Sequence, residues 1–131
     1  MRKTSKAIMS AVLIVVILIV SYSLFTYPRV VLDFPIKISG AAKTEREFDI
    51  PSGHQYLQVE IVIREGRTLW SAKITLGNEI VWDGGGATLQ TGQTTYTSNW
   101  VTAAPGHYKF TIGTLGSFDG DVKITTKGGF W

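Results

Sequence analysis

The 131-residue chain contains no cysteine. That absence excludes disulfides, zinc–thiolate sites, thiol catalysis and cysteine lipidation together. Small secreted domains are often held by disulfides; this chain must rely on its packed core. No Asn-x-Ser/Thr acceptor occurs, because Asn78 and Asn99 are followed two positions on by Ile80 and Val101. Histidine occurs twice, proline only from Pro28 onward and glycine only from Gly40 onward. No charged residue stands between Lys6 and Arg29.

That charge-free stretch is the strongest signal present. Its core, Ala7 to Val20, is almost wholly aliphatic and continues through Tyr22 and Tyr27. As a helix rising about 1.5 Å per residue it spans roughly 30 Å, the thickness of a bilayer's hydrocarbon core. Ala7, Leu13, Val16, Leu18 and Val20 would face lipid, with Tyr22 and Tyr27 at the far interface, where amphipathic rings are favoured. The run has no polar face, so a buried helix of a soluble protein is not expected. Arg2, Lys3 and Lys6 precede it, so the positive-inside bias keeps the N-terminus cytoplasmic and the remainder outside. Two readings stand: a retained single-pass signal anchor in the cell membrane, or a signal peptide removed near Ser23, with Ser21 and Ser23 as the small residues of the cleavage site and a secreted product.

The net charge of +3 belongs to this leader. Without Arg2, Lys3 and Lys6, Lys and Arg balance Asp and Glu at 10 each. No uncompensated basic cluster remains, so a nucleic-acid partner is not expected. The chain divides into residues 1–28, the anchor, and residues 29–131, one domain outside the cytoplasm.

After the leader, Thr, Gly, Trp and Tyr replace pure aliphatics, a mixture suited to short strands and tight turns. Val30, Leu32, Phe34, Ile36 and Ile38 share one parity, and Pro35 within the run marks an edge strand or an unpaired arm. Phe48 and Ile50 end a weaker run. Leu57, Val59, Ile61 and Ile63 form one face of a strong strand, and Trp70, Ala72, Ile74 and Leu76 one face of the next. Glu65-Gly66-Arg67 reads as the hairpin turn between them, and Gly77-Asn78 as another. Gly84-Gly85-Gly86 opens a flexible loop to about Gln93. Tyr96 and Trp100 share a parity in a Thr-rich strand, and Pro105-Gly106 is a turn. Tyr108, Phe110 and Ile112 alternate, and Phe118, Val122 and Ile124 form the last inward set. Seven or eight strands without a helical pattern between them predict an all-β, antiparallel β-sandwich preceded by one N-terminal transmembrane helix.

The segment Pro105-Gly-His-Tyr-Lys-Phe-Thr-Ile112 resembles the late strand of jelly-roll sandwiches of the bacterial pre-peptidase C-terminal type and of the GOLD type. There a Pro-Gly turn leads into an aromatic-x-aromatic-x-aliphatic strand, and a glycine-containing last strand follows, a place that Gly116 to Thr125 fills here. The motif covers about eight residues; as a strand order the likeness extends over residues 43 to 127. It implies a jelly-roll, non-catalytic module outside the cytoplasm, with carbohydrate, cargo or protein partners. GOLD proteins of the cargo-receptor group anchor at the C-terminus, whereas this chain anchors at the N-terminus, so their function is not carried over.

No catalytic, cofactor or metal motif is present. There is no nucleophile elbow, and Asp119-Gly-Asp121 lacks the ligand density of a calcium loop, so its carboxylates read as turn residues. His54 and His107 read as surface histidines. Trp70, Trp82 and Trp100 fall on core parity, while Trp131 lies outside any strand pattern. Four tryptophans nonetheless raise the idea of stacking on sugar. The arm from Arg29 to Ile38 is either the first strand of its own sandwich or a strand given to a neighbour by strand addition, through Val30, Leu32, Phe34, Ile36 and Ile38. The expected protein is a membrane-anchored interaction module, neither enzyme nor cofactor binder, whose Gly84–Gln93 loop meets a partner. A self-associating filament subunit and a carbohydrate-binding module are the rivals.

Overall fold

The computed structural model describes residues 2–88 and 91–129. Helix α1 spans Arg2–Thr26. The strands are β1 (Arg29–Ser39), β2 (Ala42–Ile50), β3 (Tyr56–Leu76), β4 (Glu79–Thr88), β5 (Thr91–Thr97), β6 (Val101–Thr102), β7 (Gly106–Thr114) and β8 (Ser117–Lys127). The segment Ser5–Thr26 of α1 contains an 18-residue window with a mean hydropathy of 2.7 and no buried residue, so it is long and apolar enough to cross a membrane.

All pairings are antiparallel and fall into two sheets. One sheet runs β1-β8-β3, with β5 and β6 on the far side of β3; the other runs β2-β7-β3-β4. The first strand thus pairs with the last, the second with the next to last, and the third lies inside both. This nested hairpin, folded over on itself, is the jelly roll.

Strand β3 belongs to both sheets. At 21 residues it would reach about 70 Å if straight, far longer than β1, β2, β7 and β8 at 9 to 11 residues each. It must bend, and it does so at Glu65-Gly66-Arg67. Up to Arg67 it pairs with β8; from Trp70 it pairs with β7. The expected hairpin is therefore an arch. A bulge between Ile63 and Glu65 starts the bend.

The registers give the sandwich two ends. β1 ascends from α1, β2 descends, β3 ascends and returns over its arch, and β7 and β8 repeat the pattern. One end, here the base, holds the close of α1, the Pro51–Gln55 turn, Gly77-Asn78, Ala103–Pro105 and Gly128. The opposite, apical end holds Gly40-Ala41, the β3 arch and Leu115-Gly116.

The core is aromatic between aliphatic layers. Phe34 meets Phe110 edge to face across the two sheets, at 6.0 Å between centroids. Phe48 stacks on its cross-strand partner Tyr108 at 5.7 Å. Trp70 and Trp82 are buried and share Tyr96 as a neighbour. No buried side-chain polar atom among the described residues lacks a partner.

Three local expectations change. The glycine run is not a loop: Gly84, Gly85 and Gly86 continue β4 opposite Ala72, Ser71 and Trp70. A β-carbon on Gly84 would lie 2.8 Å from the Trp82 ring, and one on Gly86 3.2 Å from the Trp70 indole nitrogen. Glycine here makes room for tryptophan. Leu89 and Gln90, within the expected loop, lie outside the described residues. Val30 leaves the inward set of β1, because a bulge between Val30 and Leu32 shifts the parity and leaves it 48% exposed. Trp100 is not core: it stands in the connection between β5 and β6, 37% exposed.

Candidate functional site

The sequence separates helix from domain, and the structure joins them. The last four carbonyls of a helix have no partner within it. Here the domain supplies two. His54 Nε2 donates to the Phe25 carbonyl at 3.0 Å, and the Gly128 amide donates to the Thr26 carbonyl at 2.9 Å. Thr26 is buried, and its hydroxyl donates back to the Tyr22 carbonyl at 2.8 Å. Space for this turn comes from two glycines. A β-carbon on Gly53 would stand 2.3 Å from the Phe25 ring, and one on Gly128 2.4 Å from the Thr26 β-carbon. Gly53 also has a φ of 86°, which other residues rarely adopt.

His54 is the centre of this socket. It is 1% exposed, not a surface histidine. A carbonyl only accepts, so Nε2 carries the proton. Nδ1 then accepts from the Thr126 hydroxyl at 2.7 Å, and the neutral ring is satisfied on both sides. Burial disfavours the charged form and lowers its pKa from the usual 6.5; nearby Arg29 adds to this, against the Phe25 hydrogen bond. The signal missed in the sequence is the tight turn Pro51-Ser-Gly-His54, whose purpose shows only once Phe25 is beside it.

His107 is the opposite case. It lies on the outer face of β7, 2.6 Å from Asp49 and 3.6 Å from Glu47, and these carboxylates raise its pKa. The two histidines therefore respond to acid with opposite signs. For His54 the unfolded state binds more protons, so its contribution holds above pH 6.5 and is lost as pH falls through the depressed value. For His107 the contribution is present below 6.5 and lost as pH rises through its raised value. A thermal-unfolding series from neutral to mildly acidic pH should show a shallower acid loss for His54→Gln than for the unaltered chain. His107→Gln should show a steeper one.

The residues expected to anchor the chain, Leu13, Val16, Leu18, Val20, Tyr22 and Tyr27, are each about half exposed or more, and Ala7 is exposed with them. The arm lies in its own sheet, paired with β8 from Arg29–Thr126 to Ser39–Ser117. Phe34 and Ile36 are buried there, with Leu32 and Ile38 packed partly against the core. Pro35 is on a sheet edge, where a missing amide hydrogen is tolerated.

Asp119 and Asp121 are strand residues, not turn residues. The Arg64 guanidinium bridges both and also donates to the Gly120 carbonyl at 3.2 Å. Arg64 is the extra residue of the β3 bulge, so the clamp fastens the start of the arch. No group of three or more metal-ligating side chains occurs among the described residues.

The apical end is organised by Thr68, which is buried. Its hydroxyl accepts from the Leu115 and Gly116 amides at 2.9 and 2.7 Å and donates to the Leu69 carbonyl at 2.7 Å. Leu69 and Leu115 are held side by side, 59% and 70% exposed. On the outer face of the β2-β7-β3-β4 sheet, Lys43, Ser71, Lys73, Asp83, Thr111 and Gly113 line an open trough of about 340 Å³.

No family model and no curated protein matches the sequence. Among solved structures, the chain is similar to the carbohydrate-binding module of Cellvibrio mixtus lichenase 5A in complex with cellotriose. That match has 15% identity and a TM-score of 0.47, and covers 76% of this chain and 86% of that one. The C-terminal CBM6 module of LamC from Zobellia galactanivorans matches at 14% identity and a TM-score of 0.42, over 79% and 92% of the two chains. A pilus structure from Bacillus endospore appendages matches at 14% and 0.41, over 76% and 89%. Likenesses at this level carry no argument about what the chain does. The jelly roll rests on the strand order described above, and the pre-peptidase and GOLD families gain no support.

Proposed function

We propose that the chain is a single-pass membrane protein whose helix is retained, with its N-terminus cytoplasmic and its jelly roll outside. The domain serves there as a non-catalytic interaction module. One observation carries this reading: the domain caps the last turn of the helix through His54 and Gly128. A leader meant for removal gains nothing from a fitted socket in the mature domain. Cleavage after Ser23 would also take away the Tyr22 carbonyl that Thr26 bonds. The base is thereby committed to the helix, and the apical Leu69–Leu115 pair is the surface left to a protein partner.

Membrane fractionation with alkaline extraction, followed by mass spectrometry of the intact chain, tests this. A protein that stays in the membrane and carries Met1 supports retention. A product beginning near Leu24 in the medium or in polymers overturns it in favour of the filament subunit, for which β1 would have to leave β8.

A second reading is carbohydrate binding, since two of the similar proteins are carbohydrate-binding modules. In this chain Trp70 and Trp82 are core residues, and Trp100, partly exposed, already carries the Lys127 ammonium over its ring; Trp131 lies outside the described residues. The observation that favours sugar is the open trough lined by Lys73, Asp83 and Ile80, polar and apolar groups together. A glycan array probed with the detergent-solubilised chain checks it, with Lys73→Ala expected to abolish any signal.

A further inference from the structure

The domain follows the helix without a spacer. Ser5–Thr26, 22 residues, rises about 33 Å, slightly more than a hydrocarbon core of about 30 Å. If the helix spans, Thr26 stands at the edge of the hydrocarbon, and the domain is hydrogen-bonded to Thr26 itself through Gly128. The base of the sandwich then has only one place to be. Headgroups extend roughly 5–8 Å beyond the hydrocarbon on each side, and about two strand residues above Gly128 cover the same depth at about 3.3 Å each.

What stands at that depth suits lipid headgroups. Lys127 precedes Gly128, and its ammonium lies 4.1 Å over the Trp100 ring. Tyr56 pairs with both Lys127 and Thr102, and the Ala103 amide donates to the Gln55 carbonyl, so the strand after Trp100 descends onto the helix end; the Trp100 backbone stands just above Val101, which pairs with Leu57, and its ring lies against the Lys127 ammonium. Trp100 is 37% exposed, and Tyr22 and Tyr27, at the helix end itself, are 53% and 59% exposed. Aromatic rings with a polar edge partition to this interface, and the cations of Lys127 and Arg29 match its phosphates. The acidic Glu79 begins β4 and so lies at the base under the other sheet.

We propose that the base of the sandwich, under the β1-β8-β3 sheet, is a lipid-contacting surface in which Trp100, held beneath Lys127, is seated among the phospholipid headgroups. This rests on the retained-anchor reading above. The domain then does not swing on its helix but is pressed to the bilayer with its apical end outward.

The absence of cysteine makes the test direct. Asn99→Cys, beside Trp100, and Leu115→Cys, at the apical end, each take a single nitroxide label in the full chain, reconstituted in phosphatidylcholine–phosphatidylglycerol vesicles. Collision with a water-soluble nickel chelate should be several-fold weaker at position 99 than at 115. Trp100→Phe should also reduce quenching of the intrinsic fluorescence by brominated lipids. Equal chelate accessibility at the two labels overturns the proposal; Thr102→Cys replaces Asn99→Cys should that variant misfold. Alkaline extraction of the same vesicles separates the two ideas. Release from the bilayer defeats the anchor, whereas retention with an accessible position 99 defeats only the lipid-seated base.

Discussion

Replacing Phe110 with alanine will remove about 3–5 kcal/mol of unfolding free energy, the usual cost of deleting a fully buried aromatic ring. The side chain is 0% exposed and meets Phe34 of the opposite sheet edge to face. Small domains have about 5–15 kcal/mol in all, and this one has no disulfide to share the load. The sheets are held chiefly by what lies between them, so a cavity at Phe110 weakens both. Thermal or urea unfolding of the full chain in detergent, followed by near-ultraviolet circular dichroism, measures the loss. Leu115→Ala, at a position 70% exposed, should stay within about 0.5 kcal/mol of the unaltered chain. Equal effects of the two substitutions would contradict the core assignment.

The second large effect is expected at Gly53. Alanine there must adopt a φ of 86°, which costs about 1–2 kcal/mol. Its β-carbon would also fall 2.3 Å from the Phe25 ring, so the helix end must move. That displacement threatens the His54 and Gly128 caps, each hydrogen bond being worth about 1 kcal/mol. A combined loss of about 3–4 kcal/mol should raise tryptic cleavage at Arg29, just beyond the junction, by about 150- to 700-fold. Gly77→Ala is the matched control. It has a φ of 60° but open space around it, so it pays only the backbone cost and leaves Arg29 protected. Cleavage at Arg29 that is unchanged in Gly53→Ala would mean that the helix is not seated in its socket.

The sequence made visible what depends on short-range pattern. The alternation of Leu57, Val59, Ile61 and Ile63, and that of Tyr108, Phe110 and Ile112, needs no partner to be read, and all seven are buried. The charge-free run to Thr26 is read equally well. What escaped depends on groups far apart in the chain. Glu65-Gly66-Arg67 has the chemistry of a turn; only the change of partner from β8 to β7 makes it an arch. Gly84-Gly85-Gly86 has the chemistry of a loop; only the rings of Trp70 and Trp82 explain it as a strand. Asp119 and Asp121 look like turn residues until Arg64 is laid between them. His54 looks exposed until Phe25, 29 residues earlier, closes over it. Of the candidate site, then, the apolar helix was legible and its socket was not.

The pairing of β1 with β8 has a mechanical consequence. β1 rises directly from the helix and remains hydrogen-bonded along its length, from Arg29–Thr126 to Ser39–Ser117. Those bonds lie across the strand axis. In the proposed arrangement, with α1 held in a bilayer, a tug on the apical end is carried to the helix along β1 and loads the whole ladder in shear. The bonds share the force instead of failing in turn as a peeled edge would. A binder held at Leu69 and Leu115 would therefore be gripped by a mount that resists tension along the membrane normal.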